Sequence, residues 1–530
     1  MRKVSSVSTD PRGRKEALAD DEPGWTAAER KEITNHDTAG SWDYISRDQV
    51  PDGRRLVRLI WVYKRKRNGS LKARLCVQGC AQVAGVDFHQ TFCGTLRASS
   101  LRLLSSVAAR CNMKMHRYDF VAAFLQGSLE PGEVVYCHPP PGYERDHLDE
   151  HGRPMVCEVR KPVYGMAQAG RRWQRSLYPW LHAFGFKQSH GDANVFHMQR
   201  GDERLMLGCY VDDLFTLHTH DGVGSLYSEF VAALCDRWKV EDEGEVSDLL
   251  NVEISRDGPC VYLRQTSYID GIVQQYAPSG VPDSFKSTDT PACESLPQLV
   301  QEALEAESPP SPSDVHRFQA IVGSLNYCAT HTRPDIALAV GLLCRALSRP
   351  TPALYEAALR VVYYLHRHRH LGLRYEASSS PQIVGYSDSD WATRHSTSGF
   401  IFQYCRAAVS WGTKKQATIA LSSCEAEIVA ASEAAKEAVY LKAFLSELGL
   451  GQKSPVSLAV DNQSAINVAY NPEHHSRVKH IERRHFFVRE KVEDHELCVP
   501  FVRSADNMAD FFTKPLADRS SKLLLRCSIL

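Results

Sequence analysis

Two adjacent aspartates, Asp212 and Asp213, stand between two apolar segments, residues 207–211 and 214–217. The pattern predicts a strand, a tight turn and a second strand, with both carboxylates at the turn. Carboxylates in apolar surroundings repel each other and lose hydration, and divalent cations remove both penalties. Two Mg²⁺ ions about 4 Å apart can activate a hydroxyl group and stabilise a leaving pyrophosphate. A lone Tyr-x-Asp-Asp sequence is more often a polar surface turn, so the interpretation depends on its neighbours.

The region before the aspartate pair predicts a hairpin that carries basic side chains. Two β-rich runs between residues 56 and 79 flank the turn sequence Asn68-Gly69. Lys72 and Arg74 lie on the second run, and a solvated hairpin face is the competing interpretation of these two cations. The basic run 64–67 suits contacts with a nucleic-acid backbone better than a catalytic role.

A second acidic set lies in the C-terminal third of the chain. Its members come from different predicted elements: Asp388, Glu427, Asp461 and Asp510. Asp388 and Asp461 end or follow apolar strands, and Glu427 lies on an Ala-rich helix predicted over 425–448. Each alone is more typical of a helix cap or a surface charge, but together they can form a two-metal hydrolytic site. Glu425 is an alternative to Glu427 on a different helix face, and Asp390 is a supporting neighbour of Asp388.

Composition excludes several classes of protein. The chain has 530 residues, of which 63 are basic and 63 acidic, so nucleic-acid binding cannot be argued from its zero net charge. The 16 cysteines include no C-x-x-C pair, which argues against a zinc knuckle and favours free thiols in a reducing compartment. No apolar run is long enough to span a bilayer, and residues 1–24 lack the apolar core of a signal peptide. We therefore expect an intracellular protein without membrane contact.

The order of the motifs resembles that of copia-type reverse transcriptases. The sequences D-x-x-x-A-F-L at 119–125, Y-G-x-x-Q-A at 164–169 and Y-V-D-D at 210–213 resemble the family's palm. Further similar segments are the fingers motifs at 71–75 and 85–92 and the connecting segment at 316–374. The C-terminal acidic set resembles the retroelement ribonuclease H pattern at all four places. Over about residues 42–518, the chain is similar to the reverse transcriptase and ribonuclease H portion of a copia-type (Ty1/copia) LTR retrotransposon Pol polyprotein.

The resemblance implies roles for the residues of the first set. Three carboxylates would be catalytic and hold the metals: Asp119, Asp212 and Asp213. Four residues would bind the nucleotide: Lys72, Arg74, Phe124 and Gln168. Lys72 and Arg74 would contact the triphosphate, Gln168 would line the pocket, and Phe124 falls at the gate position, where an aromatic ring excludes a ribose 2′-hydroxyl. The chain departs from the family at three positions that bear on nucleotide affinity: Gln78 and Ala167 replace lysines, and Gly170 replaces a proline.

For the second set, the resemblance implies that Asp388, Glu427, Asp461 and Asp510 are both catalytic residues and metal ligands. The family's E-x-x-A-A spacing favours Glu427 over Glu425. The implied cofactor is Mg²⁺, two ions per active site, with Mn²⁺ as a substitute. The basic segment 474–491 would grip the backbone of a hybrid, or is an ordinary amphipathic helix. Phe486 occupies the family's histidine position and His485 precedes it, so no catalytic histidine is assigned.

The implied fold class is α+β: a right-hand polymerase with fingers, palm and thumb and a helical connection, followed by an α/β ribonuclease H-like domain. The expected divisions are a disordered extension (1–40), fingers and palm (41–245), thumb (246–300), linker and helical connection (301–378), ribonuclease H (379–518) and a tail (519–530). Within the fourth division, residues 301–312 are expected to be the linker.

The implied function is RNA-directed and DNA-templated DNA synthesis, together with cleavage of the RNA strand of RNA–DNA hybrids, in retrotransposition and the DNA integration pathway. Expected partners are an RNA template, a DNA primer, the hybrid, deoxynucleoside triphosphates and other element-encoded proteins such as capsid and integrase. The expected location is a cytoplasmic virus-like particle, with delivery of the product to the nucleus. The alternatives are a catalytically inactive relic, a recruited nucleic-acid-binding protein, or an RNA-directed RNA polymerase; Phe124 and the second acidic set argue against the last.

Overall fold

The computed structural model describes residues 10–65, 69–285, 290–378, 381–391, 395–470 and 482–515. The α-helices are α1 (Arg14–Ala39), α2 (Ala98–Arg110), α3 (Ala169–Phe184), α4 (Leu226–Arg237), α5 (Thr266–Tyr276), α6 (Leu296–Glu305), α7 (Pro312–His331), α8 (Ala337–Cys344), α9 (Pro352–Arg367), α10 (Ser423–Glu447), α11 (Gln463–Tyr470) and α12 (Glu482–Glu493). Across this part of the chain, no helix has the length and apolarity that crossing a membrane requires.

The strands of the first half are β1 (Trp42–Ile45), β2 (Leu56–Val57), β3 (Leu59–Arg65), β4 (Leu71–Val77), β5 (Lys114–Phe120), β6 (Val135–Cys137), β7 (Val156–Val159), β8 (Lys187–Gln188), β9 (Val195–Arg200), β10 (Glu203–Tyr210), β11 (Asp213–His218) and β12 (Val240–Glu245). Those of the second half are β13 (Asp248–Leu249), β14 (Val252–Asp257), β15 (Cys260–Arg264), β16 (Leu373–Glu376), β17 (Val384–Asp390), β18 (Thr397–Tyr404), β19 (Ala407–Lys415), β20 (Val456–Ala459) and β21 (Leu497–Cys498).

The N-terminal segment is helical, although the sequence predicts a disordered extension over 1–40. That prediction is wrong for the residues of α1, while residues 1–9 lie outside the described chain. Ala17 and Trp25 are fully buried and belong to the same apolar core as the β3–β4 hairpin. α1 therefore folds by covering the hairpin, which offers the apolar surface that its own polar sequence lacks.

A buried carboxylate fixes α1 in place. Glu29 is fully buried and accepts hydrogen bonds from the hydroxyls of Tyr63 (2.5 Å) and Tyr143 (2.8 Å). Arg14 Nε lies 3.2 Å from the same carboxylate. Because its donors come from the hairpin and from a later loop, Glu29 ties three parts of the N-terminal unit together.

The N-terminal unit contains two sheets. Strands β1, β7, β6 and β2 form one sheet in that order, and β3 and β4 form an antiparallel hairpin. The hairpin register pairs Val62 with Arg74 and Lys64 with Lys72, so these side chains share one face. The predicted hairpin is confirmed, although Asn68 at its tip lies outside the described residues.

The central sheet has the order β12-β5-β11-β10-β9-β8. β10 and β11 pair antiparallel from Leu205↔His218 to Tyr210↔Asp213, which confirms the predicted strand, tight turn and strand. β5 lies beside β11 with Asp119 directly opposite Asp213. The apolar residues at 101, 104, 107 and 108 recur at helical spacing, and they lie on α2. The sheet thus brings the aspartates of the first acidic set together at one end of its strands.

The next unit combines a small sheet with a helical cluster. The sheet has the order β13-β14-β15-β16, so a strand that follows the helices returns to complete it. Helices α5 to α9 enclose a separate apolar core that includes Phe318, Leu325 and Val361. The linker expected over 301–312 is shorter, because α6 ends at Glu305 and α7 begins at Pro312.

The C-terminal unit is built on a mixed sheet with the order β19-β18-β17-β20-β21. β17 is antiparallel to β18 and parallel to β20, and β20 is parallel to β21. The long helix α10 packs on β17 and β18 with Ala426, Ala430 and Ala434 buried. The predicted Ala-rich helix over 425–448 is confirmed within two residues at its start.

One apolar core joins the central sheet to the C-terminal unit. It runs from Leu104 and Val107 of α2, through Tyr375 of β16, to Ile401 of β18 and Leu441 of α10. Helix α2 therefore packs on strands that belong to both units. The C-terminal unit completes the core of the central one.

Arg102 of α2 is the polar centre of this interface. Its guanidinium donates to the backbone carbonyls of Val409 (2.8 Å), Thr330 (2.5 Å) and His331 (3.1 Å), and it stacks on Trp411 at 3.9 Å. Burial lowers the pKa of Arg102 to about 10, which leaves it charged at neutral pH. The last two carbonyls end α7, where a cation is favourable to the helix dipole.

The predicted fold class is confirmed: an α+β polymerase with fingers, palm, thumb and a helical connection, followed by an α/β ribonuclease H-like domain. The domain boundaries themselves stay predictions. The strand β16, for example, belongs to the predicted connection but pairs with β15 of the predicted thumb.

Candidate active sites

The first site is centred on the turn between β10 and β11. Val211 has a φ of 56°, a left-handed conformation that is strained for a β-branched residue. Two hydrogen bonds hold the strained turn: Trp173 Nε1 donates to the Val211 carbonyl at 2.6 Å, and the Phe120 amide donates to the Asp212 carbonyl at 2.9 Å. The surrounding structure therefore fixes the position of the aspartate pair before any ligand arrives.

Asp119 shares the site with both turn aspartates. Burial, followed by the charges of Asp212 and Asp213, raises the pKa of Asp119 to about 6. The cations Arg117 and Lys72 act in the opposite direction. Two carboxylates that raise the proton affinity of a third form, together with it, a natural site for cations.

Arg117, which the sequence analysis did not select, holds Asp213 in place. Its Nε and one terminal nitrogen lie 3.0 and 2.7 Å from the same oxygen of Asp213. Another terminal nitrogen reaches Asp248 at 3.1 Å. Arg117 lies two residues before Asp119 on β5, and the period of a strand places both on one face; that spacing was the available clue.

The hairpin supplies basic side chains above the carboxylates. Lys72 is exposed and acts on the Asp119 charge, while Arg74 stacks on the ring of Tyr164 at 4.3 Å. Tyr164 also contacts Phe124, with ring centroids 4.6 Å apart. Arg74, predicted to contact the triphosphate, and Phe124, the predicted gate, thus both contact the ring of Tyr164.

Gln168 lies deeper than the sequence suggests. Its side chain is fully buried, donates to the Asp87 carbonyl at 3.1 Å and accepts from Gln82 Nε2 at 3.2 Å. Gln82 in turn accepts from the Ala167 amide at 2.8 Å. In this geometry Gln168 braces the segments around Asp87 and Gln82, and its direct contact with a nucleotide stays a prediction.

The second site lies at the carboxyl ends of two parallel strands. Asp388 is near the end of β17, Asp461 follows β20, and Asp510 lies in a 3-10 helix over Met508–Phe512. One carboxylate oxygen from each lies within 4.8 Å of the others. Because β17 and β20 are parallel, their ends meet at one edge of the sheet, and the 3-10 helix closes the group.

The structure brings three of the four predicted carboxylates within 4.8 Å of one another, and Glu427 lies beside them, where it interacts with the charges of Asp388 and Asp461. Glu425 accepts from the Leu421 amide at 2.7 Å and its own amide donates to Ser422, so it caps the start of α10. Glu427 is buried, accepts from the Ser389 amide at 3.3 Å, and has a second oxygen without a hydrogen-bond partner. Burial and the charges of Asp388 and Asp461 raise the pKa of Glu427 to about 9. Asp390 lies near Arg345 instead.

Lys514 and Thr513 complete the second site. The Thr513 hydroxyl donates to Asp388, and Lys514 Nζ lies 3.5 Å from Asp388 and 3.3 Å from Asp510. Burial and the charge of Asp388 raise the pKa of Asp510 to about 7, and Lys514 opposes this rise. Sequence reasoning missed Lys514, although it lies one helical turn after Asp510.

The residues present suit a divalent metal. Both sites offer clustered carboxylate oxygens, which Mg²⁺ and Mn²⁺ prefer. The partnerless buried oxygen of Glu427 is the sharpest indication, because a buried carboxyl oxygen without a hydrogen-bond partner is costly. The predicted basic segment 474–491, with His485 and Phe486, falls largely on residues or side chains outside the described chain.

Comparison with known proteins agrees with this geometry. A family model described as reverse transcriptase (RNA-dependent DNA polymerase) matches residues 41–285. A retrovirus-related Pol polyprotein from transposon TNT 1-94 of Nicotiana tabacum is 31% identical over 96% of this chain and 38% of its own length. A putative transposon Ty5-1 protein of Saccharomyces cerevisiae is 30% identical over 60% of this chain and 99% of its own length. The chain belongs to the copia-type retrotransposon Pol polyproteins.

The copia-type chain carries the family's reverse transcriptase domain, and it spans only 38% of the length of the tobacco polyprotein. Among solved structures, a foamy viral protease-reverse transcriptase in complex with ds DNA is similar over 90% of this chain and 69% of that chain. Its TM-score is 0.47 and its identity 11%.

Proposed function

We propose that this copia-type chain synthesises DNA on RNA and DNA templates at the first site and cleaves the RNA strand of RNA–DNA hybrids at the second. The observation that carries the proposal is the presence of two separate carboxylate clusters, one around Asp119 and one around Asp388, each assembled from distant elements. Either cluster alone could be an ordinary acidic patch. Their pairing in a chain of this family favours two phosphoryl-transfer sites.

At the first site the chain's own residues position the reactants. Lys72 and Arg74 suit an incoming triphosphate, because they are cations on the outer hairpin face and Lys72 acts on the Asp119 charge. Asp119 and Asp212 would hold Mg²⁺ together with Asp213, which Arg117 keeps in a fixed orientation. When bound, two such ions supply the charge that lowers the barrier to attack by a primer hydroxyl. The strained Val211 turn fixes where that attack occurs.

Sugar selection follows from the position of Phe124. Its backbone lies in the 3-10 helix Ala123–Gln126, which begins after Ala122 in a left-handed conformation. The ring is half-buried and braced by Tyr164. A braced aromatic ring cannot retreat from a 2′-hydroxyl, so deoxynucleotides are favoured.

At the second site Asp388, Glu427, Asp461 and Asp510 would hold the metals that serve hydrolysis. Thr513 orients Asp388 by a hydrogen bond, and the Ser389 amide orients Glu427. The site lies at the surface end of the sheet, because Asp461 and Asp510 are both partly exposed. A hybrid can therefore reach the carboxylates without opening the fold.

Extension of a DNA primer on an RNA template with Mg²⁺ tests the first activity. Asp212→Asn should abolish extension, because a metal ligand loses its charge. Asp202→Asn is the matched control, since Asp202 lies in the β9–β10 turn of the same sheet with its side chain 90% exposed. The wild-type protein should extend the primer. Undiminished extension by Asp212→Asn would exclude the assignment of the first site. A wild-type protein without activity would favour a relic or a binding protein.

Hydrolysis of a labelled hybrid tests the second activity. Asp461→Asn should abolish cleavage and leave primer extension largely intact, because the two clusters lie in different sheets. Asp494→Asn, at the exposed end of α12, is the control. Intact cleavage by Asp461→Asn would show that the second site is misassigned.

The proposed partners follow from these reactions: an RNA template, a DNA primer, a hybrid, deoxynucleoside triphosphates and, during transposition, other element-encoded proteins. An intracellular site of action, in a particle that delivers DNA for integration, fits the family.

A further inference from the structure

Lys514 occupies the position in the second site where a cation is expected. Its ammonium lies 3.5 Å from an oxygen of Asp388 and 3.3 Å from an oxygen of Asp510. It also interacts electrostatically with Asp461. These are the same three residues whose oxygens lie within 4.8 Å of one another. One ammonium therefore supplies positive charge to all three carboxylates that would hold a metal ion.

The geometry differs from that of an ordinary surface ion pair. Asp388 is only 1% exposed, whereas the Lys514 side chain is 42% exposed. The ammonium thus approaches a buried carboxylate from the solvent side, the side from which a metal ion would also enter. Glu427 keeps an oxygen without a hydrogen-bond partner, so Lys514 satisfies the site only in part.

A metal ion and this ammonium exclude each other. A divalent ion binds carboxylate oxygens at about 2.1 Å, which would bring it into close repulsion with an ammonium held by the same oxygens. Lys514 follows the short 3-10 helix Met508–Phe512, and its long, partly exposed side chain can rotate away from its two ion pairs.

We propose that Lys514 is an exchangeable internal cation of the second site: it neutralises Asp388 and Asp510 when no metal is bound and is displaced when a divalent metal enters. The inference rests on the proposed hydrolytic function of this site. Its consequence is that the metal affinity is set below what the four carboxylates alone would give.

Calorimetric titration with Mn²⁺ tests this proposal on the full chain carrying Asp212→Asn, which weakens the first site equally in every variant. Lys514→Gln should bind Mn²⁺ about tenfold more tightly, because two ion pairs together worth about 1.4 kcal/mol no longer compete. Lys514→Arg keeps the charge and should retain the original affinity within about threefold. Lys436→Gln, which removes an exposed lysine paired to Glu433 on α10, is the matched control and should change nothing.

Melting without and with Mn²⁺ supplies a second measurement. Lys514→Gln should lower the melting temperature in chelator, because the carboxylates lose their counter-ion, and should show a larger rise on adding Mn²⁺. Unchanged or weaker Mn²⁺ binding by Lys514→Gln would overturn the proposal, as it would make Lys514 a simple anchor for Asp510. If no Mn²⁺ binding is sensitive to Asp388→Asn, the hydrolytic site itself is wrong and the inference falls with it.

Discussion

The buried carboxyl of Glu427 should make the metal-free protein lose stability as pH rises. Its pKa is about 9 in the folded chain, against an ordinary value of 4.5. Between these values the folded state holds a proton that the unfolded state has released, so stability is greatest below the lower value and falls through the higher one. Each pH unit in this window costs about 1.4 kcal/mol, so raising the pH from about 6 to about 8 should cost about 3 kcal/mol at this residue alone.

Glu427→Gln removes the titrating group while it keeps the size of the side chain. Urea unfolding in chelator, at about pH 6 and about pH 8, should show that the variant gains about 3 kcal/mol relative to the wild type at the higher pH. Saturating Mg²⁺ should stabilise the wild type more than the variant, because the ion replaces the proton.

Glu425→Gln provides the control for this experiment. It makes the same chemical change two residues away, at the cap of α10, and leaves Glu427 in place. This variant should follow the wild-type pH dependence. If Glu427→Gln also follows it, the carboxyl does not lie buried against Asp388 and the geometry of the second site is refuted.

Three further substitutions test the polymerase site and the interface. Phe124→Ala should raise ribonucleotide relative to deoxynucleotide incorporation by roughly tenfold or more, measured as a ratio of specificity constants; an unchanged ratio would mean that Phe124 is only a core aromatic. Arg117→Gln should move the acid limb of the pH–rate profile of primer extension to higher pH. Burial and the neighbouring aspartates then raise the pKa of Asp119 without the opposing arginine charge. Equal losses of extension rate at about pH 6 and about pH 8 would contradict this. Arg102→Met should cost about 3 kcal/mol in urea unfolding, since three buried carbonyls lose a charged donor, and a cost under about 0.5 kcal/mol would show that Arg102 is dispensable.

Local pattern was sufficient for the elements that carry the first site. The β10–β11 hairpin and α2 follow from apolar periodicity and turn residues within about a dozen positions of each other. Helix α1 could not be predicted in this way, because Trp25 and Glu29 are stabilised by partners such as Tyr63 and Tyr143 that lie far along the chain. Its own sequence is polar, so its buried face can be recognised only once those partners are known.

The carboxylates were accessible to sequence reasoning, whereas Arg117 and Lys514, which pair with them, were not. Asp213 is an acidic residue in a recognisable motif, but its partner Arg117 lies 96 residues away in the chain. Likewise, Lys514 approaches Asp388 across more than a hundred residues of sequence. The choice between Glu425 and Glu427 also required the structure, because only packing shows which carboxyl caps the helix and which turns inward.

The continuous core beneath α2, β16 and β18 has a consequence for how copies of such a retrotransposon lose function. A premature stop codon before β17 would remove the strands that cover α2 and leave a broad apolar face in water. The shortened product would misfold rather than persist with the first site alone. Point changes can silence one of the two proposed reactions at a time, but loss of the strands from β17 onward would silence both, so a copy truncated there would leave no half-working enzyme to compete for the templates of intact copies.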